Sequence, residues 1–215
     1  LFWRSMTQWI GGLGIIMFTI AVLPIFGVSG LQVFAAEASG PTHDKVHPRI
    51  GITAKWIWGI YTGLTFILVI LLMLGGMNWF DSICHAFATT GTGGFSTKQA
   101  SVAYYHSPYI EYVISLFMFV SGINFTLLLF FVNRKFKKVI DNAELKWYFW
   151  SVTGFTTVIA VILYYTSSMG MEEAFRKSLF QVISLHTSTG FATDDYMLWL
   201  SLIHISEPTR HLRIS

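Results

Sequence analysis

The 215-residue chain is 53% hydrophobic and 17% aromatic but only 12% charged, where a soluble globular domain is roughly a quarter charged, and its mean hydropathy is +0.57. This is a membrane composition and excludes an ordinary soluble domain. A formal net charge of +3 without a long basic run excludes a nucleic-acid partner, and the single cysteine, Cys84, excludes an internal disulfide framework and reads as a small packed residue.

Four stretches are long and apolar enough to cross a bilayer, which takes about 20 residues. The first, from about Trp9 to Phe34, carries Gly11, Gly12 and Gly14 near its start, where glycines permit close helix contact. Pro24 bends or ends it by removing a backbone donor. No charged leader or small-residue cleavage site precedes it, so it is not read as a signal peptide. A connection holding Lys45, Arg49 and Lys55 leads to the second stretch, Trp56 to Met73. A semi-apolar run too short to span follows, Trp79 to Ala88, with Asp81 placed to cap it as a helix. It ends in Thr89-Thr90-Gly91-Thr92-Gly93-Gly94-Phe95-Ser96-Thr97.

The third stretch runs from Ile114 to Val132 and contains Asn124, a polar residue at membrane depth that either bonds a neighbouring helix or lines a pore. Arg134, Lys135, Lys137, Lys138 and Lys146 fill the next connection. The fourth stretch, Tyr148 to Tyr165, leads to a second short run from Glu172 to His186 and then to Thr187-Ser188-Thr189-Gly190-Phe191-Ala192-Thr193. The basic clusters fall on alternate connections, which places those connections on the cytoplasmic side. Trp3, Trp9, Trp56, Trp58, Trp147 and Trp150 at the segment ends fit an interfacial belt. Leu200 to Ser215 has the look of a translated sequencing adapter and is set apart from the fold.

An internal repeat organises the chain. The second membrane helix of a first repeat covers 1–35, a cytoplasmic loop 36–55, a complete second repeat 56–133, a second cytoplasmic loop 134–147, a truncated third repeat 148–199, and the adapter-like tail 200–215. The expected fold is an all-α membrane protein of helix–pore-loop–helix units, a fragment of a four-repeat pore.

The Thr/Gly loops carry the chemistry. A cation crossing a bilayer must have its hydration shell replaced, and backbone carbonyls of extended chain can do so. Glycine permits the dihedrals this requires, and threonine adds a hydroxyl. Either loop alone also fits an ordinary Gly-rich turn; recurrence at the corresponding place of a second unit favours a filter. Aligned on their central glycines, Thr89-Thr90-Gly91-Thr92-Gly93 pairs with Ser188-Thr189-Gly190-Phe191. Each short helix would aim its C-terminal carbonyls at the ion. Asp194 and Asp195 add negative charge near the outer mouth and Lys98 opposes it. His85 and His186 lack companion ligands at metal-site spacing and read as packing residues.

On Phe2-Trp3-Arg4-Ser5, Gln8-Trp9-Ile10-Gly11-Gly12, Gly40-Pro41, Pro48-Arg49, His85 through Thr97, Gly122-Ile123-Asn124-Phe125 and Ser188 through Asp195, the chain resembles the Trk/Ktr/HKT superfamily of potassium transporters. The resemblance implies four repeats around one pore, with Gly91 as the filter glycine of the second repeat and Gly190 that of the third. It implies potassium (K+) uptake across a bacterial cytoplasmic membrane, a homodimer in the lipid bilayer, and a cytosolic nucleotide-binding partner of the TrkA type. No resident cofactor and no enzymatic activity are expected. A fragment without the other filters and the gate is expected to be inactive alone. The alternatives are a sodium-permeable member of the superfamily and, further off, a membrane enzyme or scaffold.

Overall fold

The computed structural model describes residues 1–22, 50–166 and 170–193, and every regular element among them is helical. The elements are α1 (Phe2–Val22), α2 (Ile50–Leu74), α3 (Trp79–Thr90), a 3-10 turn (Ser101–Tyr105), α4 (Pro108–Ser121), α5 (Phe125–Val132), α6 (Phe136–Ile140), α7 (Ala143–Thr166) and α8 (Met171–His186). Pro24, the basic residues Lys45 and Arg49, the Asp194–Asp195 pair and the tail lie outside the described residues.

Two of these helices are long and apolar enough to cross a membrane, over Trp56–Leu74 and Ala143–Thr166. Both carry apolar residues on opposite faces. On α2, Leu68 and Leu72 are fully buried while Phe66, Ile70 and Leu74 form an exposed stripe. On α7, Val152 and Leu163 face inward while Phe155, Val158 and Ile162 face outward. A helix with apolar residues on both faces must cover the outer one as well, with lipid or with further protein. Glycine ends α2: Gly76 takes a left-handed φ of +90°, so that Met77 N–H reaches the Leu72 carbonyl at 3.2 Å and Gly76 N–H the Met73 carbonyl at 3.0 Å. This cap turns the chain sharply into α3.

The repeat is visible in the packing. The short helix α3 is held by α1 and α2, and the short helix α8 by α4 and α7. Between them lies a core of Leu68, Leu72, Ile110, Ile114, Met118 and Phe180. Each pair, α2–α3 and α7–α8, thus sets a long helix before a short one packed against it.

The third apolar stretch departs from expectation. It is not one span but two helices, α4 and α5, broken at Gly122–Asn124. Gly122 caps α4, and Asn124 starts α5 by accepting Leu127 N–H at 2.9 Å. A side chain at Gly122 would lie 2.7 Å from Thr187 Cγ2 and from the Tyr148 hydroxyl, so close approach requires glycine there. Tyr148 donates its hydroxyl to the Phe119 carbonyl, which the break leaves without a helical partner (3.1 Å). Irregular backbone at membrane depth survives only when so satisfied. Tyr148→Phe is therefore expected to lower the stability of the full-length protein by about 1 kcal/mol, the scale of a lost hydrogen bond to a partly buried carbonyl, read as a lower melting temperature in detergent.

Candidate functional site

The two Thr/Gly loops end their short helices by the same hydrogen-bond pattern. After α3, Thr92 N–H reaches the Thr89 carbonyl (3.2 Å), and both Gly93 and Gly94 N–H converge on the Ala88 carbonyl (2.7 and 3.4 Å). After α8, Ser188 N–H reaches the Leu185 carbonyl (3.1 Å), and both Thr189 and Gly190 N–H converge on the Ser184 carbonyl (2.9 and 3.3 Å). Left-handed residues recur in step: Thr92 (φ +50°) matches Ser188 (φ +56°), and Gly94 (φ +61°) matches Gly190 (φ +83°).

A trans peptide sets its C=O opposite its N–H. Two successive N–H groups aimed back at one helix carbonyl therefore leave two carbonyls aimed away from the helix end, side by side. In the first loop these belong to Thr92 and Gly93, in the second to Ser188 and Thr189. The Ala88 and Ser184 carbonyls hold the loops in place, and the oxygens turned outward next to them are those of the loop backbone.

This geometry corrects the motif alignment. Gly94, not Gly91, is the structural partner of Gly190, and Phe95 follows the one as Phe191 follows the other. Gly91 is a packing residue: a Cβ there would stand 3.0 Å from the Gln8 carbonyl and 3.1 Å from Trp9 Cα. Its own carbonyl accepts the Gln8 side-chain amide at 3.3 Å. On the facing helix, a Cβ at Gly12 would stand 2.8 Å from Gly91 Cα, so α1 and the first loop meet glycine to glycine. Gly11 faces open space. The expected glycine contact thus exists, but between helix and loop.

The loops also meet each other. A Cβ added at Gly94 would lie 2.0 Å from the Thr189 carbonyl oxygen and 3.0 Å from Gly190 carbonyl carbon. Thr89 and Thr90 are buried and turned back on α3, donating to the His85 carbonyl (2.7 Å) and the Ala86 carbonyl (2.9 Å). Thr187 does the same on α8, donating to the Ile183 carbonyl at 2.7 Å, so that Thr189 donates to the Thr187 hydroxyl at 2.8 Å. Of the expected residues, Thr189 and Gly190 meet the first loop at Gly94, while Thr92, Gly93 and Ser188 lie on the left-handed turns and a Cβ at Gly93 would meet the Gln8 side chain at 2.3 Å. Thr89, Thr90 and Gly91 anchor behind them, and Phe191 is fully buried.

The surrounding side chains differ in part from expectation. Asp81 does not cap α3; Asn78 stands at the cap without a side-chain bond, and Asp81 lies in the first turn. There it pairs with Lys98 at 3.4 Å, so the lysine does not stand as an unopposed positive charge. Burial raises the Asp81 carboxyl, but the Thr97 and Tyr105 hydroxyls and the Lys98 ammonium outweigh it and hold the group below its usual range. Arg4 lies over the Phe95 ring, 4.0 Å from its centroid. Trp9 turns inward: it donates to the Thr65 hydroxyl at 2.9 Å and stacks on Tyr61 and Phe87. Trp3, Trp56, Trp147 and Trp150 are exposed, as an interfacial belt requires. Cys84 is buried. His85 is buried and His186 exposed beside Ser151, and no metal-binding cluster exists among the described residues.

The model for the cation transport protein TrkH matches residues 1–206 of this chain. The potassium uptake protein TrkH of Escherichia coli K12 is 39% identical over 206 residues, covering 93% of this chain and 42% of its own length. That of Halomonas elongata is 36% identical over 201 residues, with the same coverage. The crystal structure of the potassium transporter TrkH from Vibrio parahaemolyticus superposes with a TM-score of 0.75 at 32% identity, covering 95% of this chain and 41% of that one. The chain thus spans about 42% of the length of the curated relatives it matches.

Proposed function

Since the chain belongs to the TrkH family of cation transport proteins, we propose that the whole protein of which it is part takes up potassium through a filter built partly from these two loops. The observation that carries this reading is the shared backbone of the loops. Each presents two adjacent carbonyls, each does so through a left-handed residue followed two positions later by a left-handed glycine, and the two loops are in contact. Carbonyl oxygens so arrayed replace water around an alkali cation without bonding chemistry. The cation is cargo, and no resident cofactor is called for. The membrane potential drives entry, worth about 2.3 kcal/mol per charge per 100 mV.

The two relatives named as potassium uptake proteins support potassium as the ion. Placement in the bacterial cytoplasmic membrane, a homodimer and a TrkA-type cytosolic partner follow from the same family reading. So does the division into a second complete repeat over 56–133 and a third from 148. The filter residues are then Thr92, Gly93 and Gly94 with Ser188, Thr189 and Gly190, supported from behind by Thr89, Thr90, Gly91 and Phe191.

The test is growth of a potassium-uptake-deficient host on limiting potassium, rescued by the full-length gene. Gly190→Ser is expected to abolish rescue or to admit sodium, because serine at φ +83° is strained and the loop backbone must shift to relieve it. Rescue at wild-type level with unchanged sodium flux would sink the filter reading.

A further inference from the structure

The two loops are joined by one side chain that their own backbones do not supply. His85, on α3, is fully buried. Its Nδ1 lies 2.8 Å from the Asp81 carbonyl oxygen, which can only accept, so Nδ1 carries the proton. In the neutral ring Nε2 is then an acceptor, and it receives the Ser96 hydroxyl at 2.9 Å. Ser96 Oγ in turn accepts the Lys98 N–H at 3.0 Å. One edge of the imidazole thus fixes the descending leg of the first loop, two residues beyond Gly94. Its face fixes the second loop: the ring stacks on Phe191 with centroids 5.8 Å apart and planes 17° apart. Phe191 directly follows Gly190, and its carbonyl accepts the Ser184 hydroxyl at 2.7 Å. Tyr105 packs against the same ring in a T-shaped contact at 5.6 Å.

We infer that His85 is a positioning residue for ion discrimination, holding the Gly94 and Gly190 loops at one fixed spacing by bonding the first and stacking on the second. The inference rests on the filter reading above. Discrimination between potassium and a smaller cation depends on where the carbonyls can stand, and a bridge that removes their freedom to close in penalises the smaller ion. A residue needed only for folding would change how many molecules conduct, lowering potassium and sodium flux together and leaving their ratio alone.

The experiment measures that ratio for the full-length protein reconstituted in proteoliposomes, for Ser96→Ala, His85→Phe and Gly190→Ser. Ser96→Ala removes only the hydroxyl and leaves the stack; His85→Phe keeps a stacking ring and loses both hydrogen bonds. Both are expected to lower the potassium-to-sodium flux ratio, by about fivefold or more, the scale of a lost buried hydrogen bond. A wild-type ratio in Ser96→Ala and His85→Phe, with an altered ratio in Gly190→Ser, overturns the role of His85 and leaves the filter standing. A wild-type ratio in all three overturns both. Should His85→Phe fail to reach the membrane, Ser96→Ala decides alone.

Discussion

Gly94→Ala in the full-length protein is expected to reduce potassium uptake by at least about a hundredfold, whereas Gly91→Ala costs about tenfold or less; both figures are scaled from the close contacts an added methyl makes. At Gly94 the methyl group falls 2.0 Å from the Thr189 carbonyl oxygen, an atom of the other loop's main chain. Nothing flexible stands there to yield, so the loops must part, and the φ of +61° adds strain of its own. At Gly91 the nearest atoms are the Gln8 and Phe87 carbonyl oxygens at 3.0 Å. These contacts are tight but relieved by a few tenths of an ångström, and φ there is an ordinary −81°. Uptake by whole cells, normalised to the amount of protein in the membrane, separates the two. Equal loss at both positions, or a larger loss at Gly91, would return the filter glycine to the motif alignment and refute the structural register.

The second large effect concerns stability. Arg176 on α8 pairs with Glu111 in the first turn of α4, and both side chains are nearly buried, 11% and 7% exposed. Arg176 also bonds Glu172 at 3.0 Å, and Tyr112 donates to the same carboxylate at 3.0 Å. The cluster clamps the outer helix of one repeat to the short helix of the next and walls a cavity of about 620 Å³ beside Ser101 and Thr193. Removing one member of a buried pair strands the other, which typically costs about 3–5 kcal/mol, while replacing both with apolar groups is often neutral. Arg176→Met is therefore expected to be strongly destabilising. Glu111→Gln is expected to be milder, because Arg176 keeps Glu172, and Glu111→Leu with Arg176→Leu to regain most of the loss. Thermal melting of the detergent-solubilised full-length protein reads this order; additive losses in the double variant would show that the two side chains act independently.

The spanning helices and the repeat were legible in the sequence because lipid enforces a length and a composition that no packing detail can waive. Trp56–Leu74 and Ala143–Thr166 had to be predominantly apolar, and a short run followed by Thr and Gly could only be noticed because it occurred twice. The same condition hid the rest. Where both faces of a helix are apolar, hydrophobicity does not say which face meets protein, so the inward turn of Trp9 and the break in the chain at Gly122 left no periodic signature. The register of the two loops was hidden for another reason. The first loop offers Gly91, Gly93 and Gly94, all equally permissive. The choice among them is made by the Ala88 carbonyl, which gathers two successive N–H groups and thereby sets the positions that turn left-handed. The bridge from His85 reaches Ser96 in the loop after its own helix, but its contact with Phe191 joins residues far apart along the chain and exists only because α3 and the second loop are packed against one another.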